Sequence, residues 1–239
     1  MLGEGEGMSS RLLLFACATA VVASPALGAQ RNFSVTDFNR VRVDGPYRIK
    51  LSTGVSPFAR ATGQATALDG VSIEVQGQTL VIRKNPSSWS SYPGQSSGPI
   101  DIAVGTHDLT TIWLNGSGAL SVDKAKAMTF ELAVQGAGSV AIGHLDSDHL
   151  RAGLSGTGSA VVGGTSAEVT AIVRGTSSFD GSALTAKDAT IGADGSSVVK
   201  LTATNTAKID TEGTASVELG GRPACTARAS GSAEISGCR

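Results

Sequence analysis

Along the second half of this chain, apolar and polar residues alternate in short runs, and every run is broken at the same place by a glycine-centred step of small residues. The steps read Asn115-Gly-Ser-Gly-Ala-Leu120, Gln135-Gly-Ala-Gly-Ser-Val140, Ser155-Gly-Thr-Gly-Ser-Ala160, Arg174-Gly-Thr-Ser-Ser-Phe179, Asp194-Gly-Ser-Ser-Val-Val199, Glu212-Gly-Thr-Ala-Ser-Val217 and Arg228-Ala-Ser-Gly-Ser-Ala233. Their reference positions are 116, 136, 156, 175, 195, 213 and 229, a period close to 20. Two and four residues before each position lie pairs such as Leu114 and Ile112, Val134 and Leu132, and Ala193 and Ile191. Four and six residues after it lie Leu120 and Val122, Val140 and Ile142, and Val199 and Leu201. A period of two predicts strands. A unit of this size cannot bury its own apolar face and must stack on its neighbours, which predicts a solenoid. With stacked strands ~4.8 Å apart, seven coils make a rod on the order of 35 Å long. The recurring glycine reads as a corner, where positive φ and close backbone approach are needed.

The preceding segment is a less regular version of the same pattern. Val41–Leu51 alternates around Asp44-Gly45, and Val71–Val75, Leu80–Ile82 and Ile100–Val104 read as further strands, with Gln76-Gly-Gln78 as a hairpin turn. Irregular spacing fits the atypical capping end that repeat arrays require. Residues 85–99, rich in Ser, Pro and Gly, read as a loop insertion. The expected architecture is all-β, a parallel β-helix of coils of about 20 residues.

The N-terminus reads as an exported leader over residues 1–29. Met8-Ser-Ser-Arg11 is a short basic stretch, Leu12 to Val22 is apolar, and Ala26-Leu-Gly-Ala29 offers small residues for cleavage. Glu4 and Glu6 carry the wrong charge for such a leader, which makes Met8 an alternative start. The domain then occupies residues 30–239, with no transmembrane segment predicted in it. The formal net charge is −1, and no basic stripe exists to attract a nucleic acid. An oxidising, exported location, periplasmic, cell-surface or extracellular, follows from the leader.

Phe38–Leu51, Val71–Arg83, the serial Gly-Ser-Gly cores and the closing Gly220–Ala233 together resemble the auto-transporter adhesin head domain family, the GIN domain. The resemblance covers nearly all of the chain after the leader, in order and spacing as well as composition. It implies a right-handed β-helical protein of bacterial envelopes and carries over no catalytic residue. No translocator barrel of the kind the family name suggests is expected within this sequence.

No residue set announces a reaction. Polysaccharide-cleaving β-helices need convergent carboxylates, whereas the acidic residues here are scattered; Asp194 and Glu212, each preceding a reference glycine, are the pair that could stack on adjacent coils. His144-Leu-Asp146-Ser-Asp148-His149 is the densest polar cluster, with spacing compatible with a divalent metal or with an ordinary polar corner. No catalytic residue, cofactor or metal site is therefore expected. Two surfaces are candidates for binding a glycan or a cell-surface protein. One is the ladder of hydroxyls beside the glycine corner, such as Ser117, Thr157, Thr176, Ser196 and Thr214, with Ser139, Ser159, Ser178, Ser216 and Ser232 nearby. The other is a ligand platform of Trp89, Tyr92 and Trp113, unless the insertion simply folds over Trp113, which should face outward between Ile112 and Leu114. The expected function is a non-enzymatic adhesin or interaction module; polysaccharide binding or degradation and a structural envelope role are the alternatives.

Cys225 and Cys238 are the two cysteines beyond the leader. Cys225 lies four residues before Ala229 and Cys238 nine residues after it, offsets held elsewhere by inward residues such as Leu132 and Leu145. Both are expected to face the lumen of the final coil and to form a disulfide, the alternative being two buried thiols.

Overall fold

The computed structural model describes residues 29–87 and 98–239. The leader to residue 28, and most of the insertion with Trp89 and Tyr92, lie outside the described residues. The chain forms β1 (Ala29–Phe33), β2 (Arg40–Asp44), β3 (Arg48–Thr53), β4 (Phe58–Gly63), α1 (Ala65–Asp69), β5 (Val71–Gln76), β6 (Thr79–Lys84), β7 (Asp101–Thr106) and β8 (Thr111–Gly116). Long bent strands follow: β9 (Ala119–Gly136), β10 (Ser139–Gly156), β11 (Ser159–Gly175), β12 (Ser178–Gly195) and β13 (Val198–Gly213). β14 (Ser216–Gly220), β15 (Ala224–Gly231) and β16 (Glu234–Ser236) close the chain. From β9 to β16 every pairing is parallel, coil on coil, which makes the molecule a β-solenoid.

Each coil has three faces. Face 1 leads into the reference glycine (residues 149–156 in β10), face 2 leaves it (139–142), and face 3 follows a second corner (145–147). On face 1, Val41, Ile112, Leu132, Ala152, Ala171, Ile191 and Ile209 stack in register and are buried. On face 2 the matching ladder is Ile49, Leu120, Val140, Ala160, Phe179, Val199 and Val217. Volumes compensate along the ladders, as a close-packed lumen demands: fully buried Phe179 follows Ala160, the smallest residue of its column. Inside face 3, Ser147 donates to Ser166 at 3.1 Å and Ser166 to the carbonyl of Glu168 at 2.9 Å, so this buried polar step is satisfied.

The reference glycines are the first corner. Gly116, Gly136, Gly156, Gly175, Gly195 and Gly213 all have φ between +80° and +104°. A Cβ at Gly136 would stand 2.8 Å from the carbonyl oxygen of Gly116 in the coil before it. That oxygen accepts from the Ala137 N–H at 2.9 Å, and the bond recurs from Thr157 to Gly136 and from Thr176 to Gly156. Variation in coil length is absorbed at the second corner, where register shifts fall between Ile142 and Leu145, Val161 and Gly164, and Gly181 and Thr185.

Two details differ from the sequence reading. Gly213 pairs with Gly231, not Ala229, so the reference position of the last coil moves by two residues. Cys225 then stacks on buried Ala207 and still faces inward, whereas Cys238 is exposed beyond β16. The disulfide between them is present, with Cα atoms 5.7 Å apart. It fastens the open end of the solenoid rather than sitting in a covered lumen. Reduction and alkylation should therefore loosen the last coil alone. A link closing a loop of this size contributes roughly 3 kcal/mol in the chain-entropy model, and hydrogen exchange should rise in β15 and β16 while β9–β13 stay protected. Unchanged protection in β15 after reduction would contradict this.

The other difference is the N-terminal end. β2 pairs with β6 on one side and β8 on the other, and β3 pairs with β7 and β9. The first coil in sequence is thus the second in space, overlaid by strands that come later. Outside it, β5 pairs antiparallel with β6 across the expected turn at Gly77, and β4 and β1 add antiparallel strands to β7. Antiparallel strands and the short α1 stop the parallel stacking, which is the capping the irregular spacing predicts.

Candidate functional site

Alternation that points apolar residues inward leaves every second residue outside, and the outer columns sort by face. On faces 1 and 3 they carry cross-coil polar pairs. Lys126 meets Asp146 at 2.9 Å, His149 meets Glu168 at 3.1 Å, and Arg174 meets Asp194 at 3.2 Å. The hydrogen bond and charge of Lys126 hold the Asp146 carboxyl below its ordinary range, and Asp146 raises Lys126 in return. Asp188 is lowered likewise, by hydrogen bonds from Thr206 and Asn205 of the next coil. All these groups are exposed, so solvent screens each pair and its contribution to stability is small.

These pairs account for the polar candidates of the sequence. The His144–His149 cluster is divided, Asp146 turning to the preceding coil and His149 to the following one, with Leu145 buried between His144 and Asp146 in the chain. Among the described residues no group of three His, Cys, Asp or Glu is arranged around a metal position. Asp194 and Glu212 do stack in register, and Asp194 is engaged by Arg174. The corner hydroxyls are partly occupied by backbone: Thr176 donates to the Gly156 carbonyl at 3.3 Å and Thr214 to that of Gly195 at 3.4 Å, while Ser196 and Thr214 are 2.9 Å apart. Trp113 faces outward on face 1 as expected, half-buried between Arg42 of β2 and Ala133 of β9. Its proposed partners Trp89 and Tyr92 lie outside the described residues.

Face 2 is different: the sequence reading took from it the row of hydroxyls Ser139, Ser159 and Ser178, but not the groove that they line. One outer column runs Arg48, Ala119, Ser139, Ser159 and Ser178; the other runs Lys50, Ser121, Ala141, Val161 and Asp180. Across β9, β10 and β11 both columns hold only small or apolar side chains, bounded by Arg48 and Lys50 on β3 and, in the second column, by Asp180 and then Lys200 from β12 onward. This contrast in length makes a groove of ≈440 Å³, reaching past β3 to Ala103 and Asp101 of β7 and Thr62 of β4. Its volume lies in the range of small-molecule sites. Val161 is 49 % exposed on its floor, beside the small side chains of Ser159 and Ala141. The signal available in the sequence was three successive coils with no charge at either outer position of face 2.

Comparison with known proteins follows the architecture. No curated protein matches this chain significantly. A structure from Bacteroides fragilis NCTC 9343 described as a putative adhesin superimposes with a TM-score of 0.71 at 15% identity, covering 90% of this chain and 95% of that one. One from Parabacteroides distasonis ATCC 8503, described as a putative lipid binding protein, gives 0.68 at 18% identity, covering 88% of this chain and 97% of its own. A putative adhesin from Parabacteroides merdae ATCC 43184 gives 0.67 at 14% identity, with 88% and 97% covered. At these identities the likeness is one of fold. Residues 37–223, from just before β2 to just before β15, match the family model "Putative auto-transporter adhesin, head GIN domain", and the chain belongs to that family.

Proposed function

We propose that this protein is an exported, non-enzymatic binding module of the cell envelope, a rigid rod that offers its outer faces to a surface ligand. The observation that carries the reading is the contrast between the outer faces: ion pairs bridge neighbouring coils on faces 1 and 3, while face 2 carries a shaped, mostly apolar groove across β9–β11. A head-domain family of adhesins fits such a role, and a disulfide fits an oxidising compartment reached through the N-terminal leader. A sugar-stacking role for Trp113, together with Trp89 and Tyr92, is the glycan form of the same reading.

A second reading is favoured by the groove itself. Its apolar floor suits an aliphatic ligand, the class named for one of the structural relatives.

The test is incubation of the purified protein with a panel of polysaccharides and with lipid and protein extracts of cell surfaces, measuring retention and released sugars together. Retention without release is the expected result. Release of sugars would replace this reading with the enzymatic one, and retention by nothing in the panel would leave a structural envelope role in its place.

A further inference from the structure

We infer that the face 2 groove binds a single-chain anionic amphiphile, a long-chain carboxylate lying along β9–β11 with its head group against β3. This rests on the reading of the molecule as a binding module and names the ligand class for one of its surfaces.

Three observations converge on it. The floor is apolar and narrow in chemistry: Ala119, Ala141 and Val161 supply carbon, and the serines between them are too short to fill the groove. A sugar would need more hydrogen-bonding groups than this floor presents, since polar recognition relies on fixed donors and acceptors at the wall. An alkyl chain needs none, and every methylene it takes out of water favours binding.

Charge then decides the orientation. Arg48 and Lys50 both project outward at the β3 end, and neither has an ion-pair partner within 4.0 Å among the described residues. Arg60 of β4 lies in the same row beyond Ala103, donating to Asn32 at 3.2 Å. Asp101 is the single carboxylate at this end, beside Arg48 in register, so the cluster keeps a net positive charge. The opposite end carries Asp180, with Lys200 engaged by Glu218 at 2.8 Å. An anionic head is therefore drawn to β3 and repelled from β12.

The ends of the groove also account for its length. Arg48 and Lys50 border its apolar part at β3 and the Asp180 carboxylate borders it at β12, leaving the three coils between as the bed for the chain. A ligand with two bulky apolar tails would overhang that bed, which favours a single chain.

The experiment is calorimetric titration of the purified protein with dodecanoate, dodecanol and dodecylamine, each below its aggregation limit. Dodecanoate should bind with one site per molecule, and dodecylamine at least about tenfold more weakly, a difference of about 1.4 kcal/mol. Arg48→Gln with Lys50→Gln should weaken dodecanoate about tenfold and leave dodecanol unchanged. Ala141→Glu, exposed on the floor, should abolish binding of all three, while Thr129→Glu on face 1 should have no effect; unchanged melting temperatures show that each variant is folded. Absence of dodecanoate binding, equal binding of the amine, or insensitivity to Ala141→Glu would each overturn the proposal. If Ala141→Glu is retained by surface extracts as well as the unsubstituted protein is, the groove assignment falls while the binding-module reading stands.

Discussion

Val140→Asp should cost the protein most of its stability, at least about 3 kcal/mol, whereas Ser139→Asp one residue away should change it by no more than about 0.5 kcal/mol. Val140 is 2 % exposed and sits in the lumen between Leu120 and Ala160. An aspartate there has no cation or donor to meet it, and desolvating its charge exceeds anything neighbouring contacts return. It must either take up a proton or open the coil. Ser139 occupies the next position on the outer side, where water solvates a carboxylate freely. Urea unfolding of the two variants measures the contrast. Equal midpoints would mean that the inward and outward columns of face 2 have been interchanged.

Gly156→Val should be the second severe substitution, with a loss of about 3 kcal/mol, and Gly153→Val its harmless counterpart. Gly156 has φ +101°, and a Cβ would lie 2.7 Å from the carbonyl oxygen of Gly136. A β-branched residue is strained at that φ whatever the space, and here the obstruction is backbone that already accepts the Thr157 N–H. Relief therefore requires two coils to separate locally. Gly153, three residues earlier, points out from face 1 with no atom within 4 Å of its added Cβ. Valine suits an extended strand better than glycine, so Gly153→Val should fall within about 1 kcal/mol of neutral or improve stability. A comparable fall in thermal midpoint for both would show that the corner does not depend on glycine conformation.

The inward columns were legible in the sequence because lumen and solvent impose opposite demands on neighbouring residues, and that demand repeats in every coil. Even the misplaced reference of the final coil shows the strength of the signal. Moving from Ala229 to Gly231 shifts the coil by two, and an even shift leaves every strand side chain on its own face. Cys225 therefore faced inward on either count. Cys238 lies past the second corner, where alternation no longer governs direction, and its predicted burial did not survive.

What the sequence concealed is of another kind. The strands of the N-terminal end could be recognised singly, but nothing local states that β6 and β7 cover β2 and β3. Such pairings set Val41 beside Leu80 and Ile49 beside Ile102, and on the other side of β2 the side chains of Asp44 and Asn115 meet at 2.6 Å across 71 positions. The groove was hidden for a related reason. Ala119, Ser139 and Ser159 are unremarkable one at a time, and concavity arises only when stacking places them between Arg48 and Lys50 on one side and Asp180 on the other.

The interleaved first coil also gives the rod a fixed origin and no intrinsic length. Between β9 and β13 each interface repeats the one before it, so a whole coil could be added or deleted there with both ends unaltered, as in any array whose stability is a sum over neighbours. At the other end, duplication of a coil would have nowhere to go, because β2 and β3 are already enclosed on both sides by segments from elsewhere in the chain. Relatives can thus differ in reach while sharing one base. In this chain the groove lies against that base, where a change in the number of coils further along would leave it intact.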